Sequence, residues 1–271
     1  MSRTTETDSD FKDLESQSSR YLLEAMNAQD QTVPLAIKRC IDAIEIVVEN
    51  IVDRLKAGGR LFYIGSGSSG RLGVLDAAEC PPTFGVSSEL VQAVIAGGDA
   101  AIRKAVEFAE DDREQGWKDL QARHLSNKDF LIGISASGST PYVLGAIQQA
   151  RAAGVATAGI SCNENSELSS CVEYPIDIVV GPEFITGSTR LKSGSAQKMV
   201  LNMISTAVMI RLGHVQGNHM IDMQLTNEKL IERGTRFVMQ ATKLEQDVAR
   251  KLLLKHGSVR KALDHFYKKN S

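Results

Sequence analysis

The sequence has few cysteines, and none stands where a metal site or a disulfide framework would need it. The four cysteines, Cys40, Cys80, Cys162 and Cys171, form no C-x-x-C pair and have no histidine partner nearby in sequence. The five histidines are scattered as well. Zinc sites and disulfide scaffolds both depend on characteristic spacings of these residues. We therefore expect neither a metal ion nor a disulfide.

The sequence also lacks a long apolar run and a strong charge of either sign. No stretch is long and apolar enough to span a bilayer, and residues 1–19 are polar and acidic, without the apolar core of a signal peptide. The formal net charge of −2 provides no general attraction for nucleic acid or an anionic membrane. A transcription regulator would need a basic helix-turn-helix, and the N-terminal helices are acidic or neutral. We expect a cytoplasmic protein with neither kind of partner.

The rest of the chain is organised around residues 61–85, LFYIGSGSSGRLGVLDAAECPPTFG. Residues 61–64 are apolar and predict a short buried strand, and GSGSSG at 65–70 predicts a turn before a helix. Glycines there permit positive φ, while serine hydroxyls and the first helical N–H groups form a concavity suited to an anion. Pro81 and Pro82 predict that this helix ends beside Glu79.

The same turn matches G-x-G-x-x-G, the fingerprint of dinucleotide binding. That interpretation requires an acidic residue about 20 residues further on, at the end of the next strand, to hold the ribose hydroxyls. Here the next apolar strand, residues 90–95, ends in Ala-Gly-Gly, and the first acid is Asp99. The several hydroxyls of the turn also suit a compact phosphate better than a pyrophosphate. We favour a phosphorylated small molecule and expect no cofactor.

Strand and helix patterns alternate along the chain and predict an α/β fold. Helical character covers residues 18–57, with a second helix running from 33 to 57. We then expect strands at 61–65, 90–95, 129–135, 155–161 and 176–180, helices near 99–110 and 141–153, and long helices at the end. Nearly continuous apolar strands predict a doubly wound parallel sheet covered on both faces. Its ligands would lie beyond the carboxyl ends of the strands.

Two further segments carry hydroxyls or cations at a predicted helix start. SASGST at 135–140 follows the third strand, and several hydroxyls there favour phosphate capture, whereas ordinary helix capping needs only one. In residues 181–206, Ser188, Arg190 and Lys192 lie near the start of another helix. Cations at that position oppose the helix dipole, which indicates either an anionic ligand, an acidic neighbour or simple exposure to solvent.

Two carboxylates are candidates for acid–base chemistry. Glu79 follows the first loop, and Glu110 lies in AVEFAEDD after the second strand, where its acidic neighbours also fit a solvated surface. Two carboxyls in one crevice can be driven to different protonation states, one serving as acid and the other as base. An open-chain sugar phosphate has an acidic C–H beside its aldehyde. The pair therefore fits isomerisation or β-elimination.

Four ordered blocks resemble the N-acetylmuramic acid 6-phosphate etherase family, which has the sugar isomerase (SIS) fold. The blocks are GSGSSGRLGVLDAAECPPTFG, ISASGSTPYV, GPEFITGSTRLKSGSAQKMVLNMIST and GNHMIDMQLTNEKL, and the resemblance runs from about residue 14 to 257. It implies a flavodoxin-like five-stranded sheet, a homodimer, and no metal. It also implies cleavage of the lactyl ether of N-acetylmuramate 6-phosphate by elimination and hydration. The glucokinase regulatory protein is a relative with similar loops.

The resemblance assigns roles to individual residues. Glu79 corresponds to the proton donor and Glu110 to the base, although the residues alone leave the reverse order open. Ser68 stands where the family commonly has threonine, and the C-terminal helical module looks shortened. The expected domains are an N-terminal helical segment at 1–57, the SIS domain at 58–215 and a helical region at 216–271. The expected contacts to the substrate are Gly67, Ser68, Ser69, Ser135, Ser137, Gly138, Ser139, Thr140, Ser188, Arg190 and Lys192.

Two alternatives remain at this point. An aldose–ketose isomerase would share the sheet and one glutamate but not the ECPPTFG and GSTRLKSG blocks. A non-catalytic sugar-phosphate sensor like the regulatory relative would be much longer, with a second such domain. Both alternatives keep a phosphosugar as the ligand.

Overall fold

The computed structural model describes residues 4–106 and 108–270 and contains a central five-stranded parallel sheet. Its strands are β1 (Leu61–Gly65), β2 (Val91–Ile95), β3 (Phe130–Ile134), β4 (Ala156–Ser161) and β5 (Tyr174–Asp177), in the order β2-β1-β3-β4-β5. This is the flavodoxin-like order, in which the winding direction changes between β1 and β3. The predicted fold class is confirmed.

The helices follow the predicted alternation, with additions. They are α1 (Ser19–Asp30), α2 (Val33–Lys38), α3 (Ile41–Lys56), α4 (Gly67–Phe84), α5 (Ala100–Arg103), α6 (Gln115–Ala122), α7 (Pro141–Ala152), α8 (Glu167–Cys171), α9 (Lys192–Arg211), α10 (Glu228–Thr242), α11 (Gln246–His256) and α12 (Val259–Asn270). Two short strands, β6 (Val215–Gln216) and β7 (His219–Met220), form an antiparallel pair. No helix among the described residues is both long and apolar enough to cross a membrane.

Alternate residues of each central strand enter different cores, because successive side chains of a strand point to opposite faces. In β1, Leu61 and Tyr63 join the core formed with α3, α4 and α9. Phe62 and Ile64 join the core formed with α6, α7 and α8. Both faces of the sheet are therefore covered, which explains the continuous apolar strands.

The helices α10, α11 and α12 surround an apolar cluster of their own, which includes Met223, Val238 and Leu253. Asp222 anchors this group: its two carboxylate oxygens accept hydrogen bonds from Arg260 Nε at 2.7 Å and Nη2 at 2.6 Å. These helices therefore have an apolar core separate from the two cores of the sheet. The three-part division at 57 and 215 stays a prediction.

Helix α4 does not end before the prolines, contrary to the prediction. It continues through Pro81 and Pro82 to Phe84, where Gly85 takes a φ of +69° and donates its N–H to Pro81 O. Burial of Cys80 and Phe84 on either side of the prolines stabilises this last turn. Glu79 therefore lies inside a helix rather than at its end.

Three other predicted boundaries were wrong. The helix expected over residues 33–57 breaks after Lys38, and the one near 99–110 is only four residues long, with Glu107 outside the described residues. The last strand comes earlier than 176–180, at Tyr174–Asp177. Helices α6 and α8 were not predicted. Each difference concerns a short element, for which periodicity carries little information.

Candidate active site

The first Gly/Ser loop is a tight strand-to-helix turn. A Cβ on Gly70 would lie 2.8 Å from Gly65 O and 2.6 Å from Ile95 Cγ1, so only glycine allows the helix to start this close to the sheet. Gly67 has a φ of +49° with open space around its Cα. The hydroxyl of the buried Ser69 donates to Gln197 Oε1 at 2.9 Å, which ties the loop to α9.

The second loop brings four hydroxyls together before α7. Ser135 Oγ lies 2.8 Å from Thr140 Oγ1 and 3.3 Å from Ser137 Oγ, and Ser139 Oγ donates to Ser137 Oγ at 3.0 Å. Gly138, with a φ of +69°, turns the chain so that its N–H donates to Ser135 Oγ at 3.1 Å. A preformed cluster of hydroxyls at the start of a helix is suited to bind an anion.

Asn163 holds this second loop in place from the end of β4. Its amide nitrogen donates to the carbonyls of Ala136 and Ser137, each at 3.2 Å. Its amide oxygen accepts from Thr4 Oγ1 at 2.9 Å and from the N–H of Thr5 at 3.2 Å. The N-terminal segment thus packs against the loop through one buried side chain.

Glu110 lies between the two loops. Its Oε2 accepts a hydrogen bond from Ser66 Oγ at 2.8 Å, and its backbone carbonyl accepts from the N–H of Tyr142 in the first turn of α7 at 3.0 Å. The exposed Glu110 side chain lines a cleft of about 250 Å³ together with Ser66, Gly67 and Arg71. This carboxylate therefore faces a cleft beside the first loop.

Glu79 lies on α4, away from this cleft. It comes twelve residues after Gly67 in α4, about 18 Å along the axis at 1.5 Å per residue. Its Oε2 accepts a hydrogen bond from Lys198 Nζ of α9 at 3.3 Å, and its side chain is 61% exposed. The structure does not bring Glu79 and Glu110 into one cleft of one chain within the described residues.

A second groove runs between α4 and α9 with a volume of about 560 Å³. Ser68, Arg190 and Lys198 line it, and Arg71 borders both this groove and the Glu110 cleft. Arg71 is held by a hydrogen bond from its Nε to Ile102 O at 3.1 Å. Two predicted residues, Ser68 and Arg190, therefore face a groove that shares Arg71 with the Glu110 cleft.

Lys192 does not face either surface. It is 3% exposed, and its Nζ donates to Gln29 Oε1 at 2.8 Å. Burial lowers the pKa of its ammonium, although the nearby Glu183 carboxylate opposes this effect. Glu183 also accepts from the backbone N–H groups of Lys192 and Ser193, each at 2.9 Å, and so caps α9. Lys192 is the first residue of α9, and the half-buried Ser188 lies in the loop before it.

Four residues near the site were missed from the sequence: Ser66, Arg71, Gln197 and Lys198. Ser66 lies within the predicted loop and Arg71 directly follows it, so their position in the sequence could have indicated both. Gln197 and Lys198 lie on α9, and only packing of α9 on α4 reveals their proximity to the loop. The described residues contain no cluster of histidine, cysteine or carboxylate side chains that could hold a metal ion.

No cysteine offers a ready thiolate nucleophile at the site. Burial, with the nearby Asp76 and Glu79 carboxylates adding to it, raises the pKa of the Cys80 thiol to about 12. Burial also raises the pKa of Cys162 to about 12. Since the thiolate is the reactive form, the exposed carboxylates are the better candidates for chemistry.

Models of known SIS-domain families match most of the chain. Residues 43–151 match the glucokinase regulatory protein N-terminal SIS domain, and residues 101–207 match the SIS domain. Residues 217–266 match the C-terminal lid domain of glucokinase regulatory protein.

Among curated relatives, N-acetylmuramic acid 6-phosphate etherase of Christiangramia forsetii is 56% identical over 260 residues, covering 96% of this chain and 95% of the relative. The enzyme of that name from Bacteroides fragilis is 52% identical over 264 residues, covering 97% and 94%. The Clostridioides difficile one is 53% identical over 232 residues, covering 86% of this chain and 76% of the relative.

Solved structures share the fold at low identity. A phosphoheptose isomerase from Francisella tularensis has a TM-score of 0.55 at 16% identity, covering 71% of this chain and 98% of that one. A phosphoheptose isomerase from Neisseria gonorrhoeae has a TM-score of 0.54 at 16% identity, covering 70% and 98%. At such identities the likeness is evidence for the fold alone.

Proposed function

Because the chain belongs to the N-acetylmuramic acid 6-phosphate etherase family, we propose that it cleaves the D-lactyl ether of N-acetylmuramic acid 6-phosphate. The products are N-acetylglucosamine 6-phosphate and D-lactate. Within the structure, the observation that carries the proposal is the position of Glu110, a carboxylate between two Gly/Ser loops with its Oε2 on Ser66 Oγ. The names of the relatives favour this reaction over sugar-phosphate isomerisation and over a purely regulatory role.

The two loops are the proposed binding site for the phosphate and the sugar. The clustered hydroxyls of residues 135–140 offer neutral donors to a phosphate, and the net charge of the chain makes such local capture necessary. The proposed contacts in the loops are Gly67, Ser68, Ser69, Ser135, Ser137, Gly138, Ser139 and Thr140. Arg190 would act from the groove, and Ser188 from the loop before α9. Lys192, being buried, would support that loop rather than touch the ligand.

The proposed chemistry is an elimination followed by hydration. Glu110 removes the proton at C2 of the open-chain sugar, and the electron pair forms the C2–C3 double bond as the C3–O bond breaks. Glu79 gives its proton to the departing lactate oxygen. Water then adds across the double bond, its hydroxyl at C3 and a proton at C2, which restores the saturated sugar and returns both carboxyls to their starting forms.

The separation of the two glutamates supports a homodimer with shared sites. An acid and a base that act on neighbouring carbons must each lie within about 3 Å of the atoms they serve. Glu79 is about 18 Å along α4 from the loop that holds Glu110, a gap that two glutamate side chains cannot close within one chain. A neighbouring subunit would supply Glu79, and the exposed apolar side chains of Leu75, Met199 and Met203 on α4 and α9 are a surface that such a partner could cover.

The direct test is release of D-lactate from N-acetylmuramic acid 6-phosphate by the purified protein, without added metal or nucleotide. Glu79→Gln and Glu110→Gln should each lower kcat by about 10²- to 10⁴-fold, the usual worth of one acid–base group. Both side chains are exposed, so thermal stability should not change. Asp111→Asn, an exposed acid beside Glu110, is the matched control and should keep full activity.

A wild-type protein that releases no lactate would contradict the proposed reaction, and a Glu79→Gln, Glu110→Gln double variant with native activity would contradict the assignment. Mixing the two inactive single variants tests sharing. Mixed dimers would contain one intact site if the partner supplies Glu79, and activity should reappear. Activity that stays absent after subunit exchange would contradict shared sites.

A further inference from the structure

Positively charged side chains line the groove between α4 and α9, and the two Gly/Ser loops do not require them for binding a phosphate. Three cations, Arg71, Arg190 and Lys198, line it, and no carboxylate of the described residues does so. Arg190 is exposed and forms no ion pair within the part of the chain that the structure describes. Like charges brought together in a groove repel one another, so an anionic ligand would stabilise this arrangement.

Lys198 links this groove to Glu79. Its ammonium lies 3.3 Å from Glu79 Oε2, and its side chain is only 27% exposed, so part of its stem is packed between the helices. The contact lies within one chain. Lys198 and Glu79 would therefore enter a substrate site together, whichever subunit provides them.

The proposed leaving group has an anion next to the atom that must be protonated. In a lactyl ether, a single carbon separates the ether oxygen from the carboxylate carbon. A proton donor for the oxygen and a cation for the carboxylate must accordingly be neighbours. Lys198 is the cation in contact with the proposed donor.

We propose that the α4–α9 groove is the subsite for the carboxylate of the leaving group, with Lys198 as its main partner and Arg190 as a second cation. This inference rests on the proposed etherase function and adds the recognition of the departing acid to it. A site that only isomerises a sugar phosphate has no second anion to bind.

The test compares two substrates that differ only in the carboxylate. One is N-acetylmuramic acid 6-phosphate, and the other is 3-O-ethyl-N-acetylglucosamine 6-phosphate, whose leaving group is ethanol. Lys198→Met should lower kcat/KM for the first by about 10- to 100-fold, the worth of a charge-assisted hydrogen bond. It should change kcat/KM for the ethyl ether by less than about threefold, and Lys198→Arg should recover part of the loss.

The control is Lys118→Met, which removes an exposed lysine that pairs with Glu114 on α6 and should affect neither substrate. An equal loss on both ethers for Lys198→Met would overturn the subsite and leave the etherase function intact. If the wild-type protein cleaved neither ether, the proposed function itself would be wrong and this inference with it. Arg190→Met should show the same selectivity with a smaller loss.

Discussion

Replacing Asp76 by asparagine should stabilise the protein at neutral pH, and replacing it by alanine should destabilise it. Asp76 lies in α4 one turn before Glu79 and is 3% exposed. Its Oδ2 accepts from Tyr63 Oη of β1 at 2.9 Å, and its Oδ1 accepts from Ser205 Oγ of α9 at 3.0 Å. The carboxyl therefore joins the sheet to the two helices that border the proposed leaving-group subsite.

The expected pH dependence follows from burial. Burial, the largest influence, raises the pKa of Asp76 above its ordinary value of 3.8, although hydrogen bonds from Tyr63 and Ser205 oppose it. Between these two pKa values the folded state binds a proton that the unfolded state has lost. The stabilisation by the protonated carboxyl is thus fully present below about pH 3.8 and is lost as the pH rises through the raised pKa. Each tenfold change in proton affinity corresponds to about 1.4 kcal/mol.

The two substitutions separate charge from hydrogen bonding. Alanine leaves the hydroxyls of Tyr63 and Ser205 without their acceptor, at about 1–3 kcal/mol for each buried group, so about 2–6 kcal/mol in total before the gain from removing a buried charge. Asparagine keeps an oxygen for Tyr63, offers an N–H to Ser205 Oγ and cannot ionise. At pH 7 the expected order of stability is asparagine, then aspartate, then alanine.

Urea unfolding followed by circular dichroism at several values between pH 4 and pH 8 measures these differences. The advantage of Asp76→Asn over the wild type should grow as the pH rises and then level off. Asp111→Asn, which changes an exposed acid, should show no such trend. A difference that is the same at every pH, or an asparagine variant less stable than the alanine one, would refute the reasoning.

Two further substitutions test how the first loop and the C-terminal helices are held. Gly70→Ala should lower the free energy of unfolding by about 1–3 kcal/mol and reduce lactate release, because the new Cβ would lie 2.6 Å from Ile95 Cγ1. The control is Gly194→Ala, whose Cβ would meet nothing closer than 3.5 Å. Equal thermal stability of the two variants would contradict this account. Arg260→Met should increase tryptic cleavage within α10–α12, since it removes both hydrogen bonds from the guanidinium to Asp222, and an unchanged cleavage rate would show that the apolar cluster alone secures these helices.

The sequence by itself determined the local structure, namely which segments form buried strands and where the helix after the first strand begins. The apolar run at 61–64 followed by GSGSSG predicted a buried strand and a helix start, and both exist at Leu61–Gly65 and Gly67–Phe84. The alternation of such units predicted a parallel sheet. These features depend on residues close together in the chain, where side-chain period and glycine content act directly on the backbone.

Tertiary packing decided which distant residues meet. Pro81 and Pro82 predicted a helix end, yet the burial of neighbouring side chains keeps α4 continuous past Glu79 to Phe84. The same packing buries Lys192, exposes Arg190 and brings Lys198 to Glu79. Such contacts depend on how α9 lies against α4, and that arrangement follows from the summed burial of many side chains on both helices. A local pattern of residues carries no information about this summed burial. The loops could therefore be predicted from the sequence, whereas the partners of the two glutamates could not.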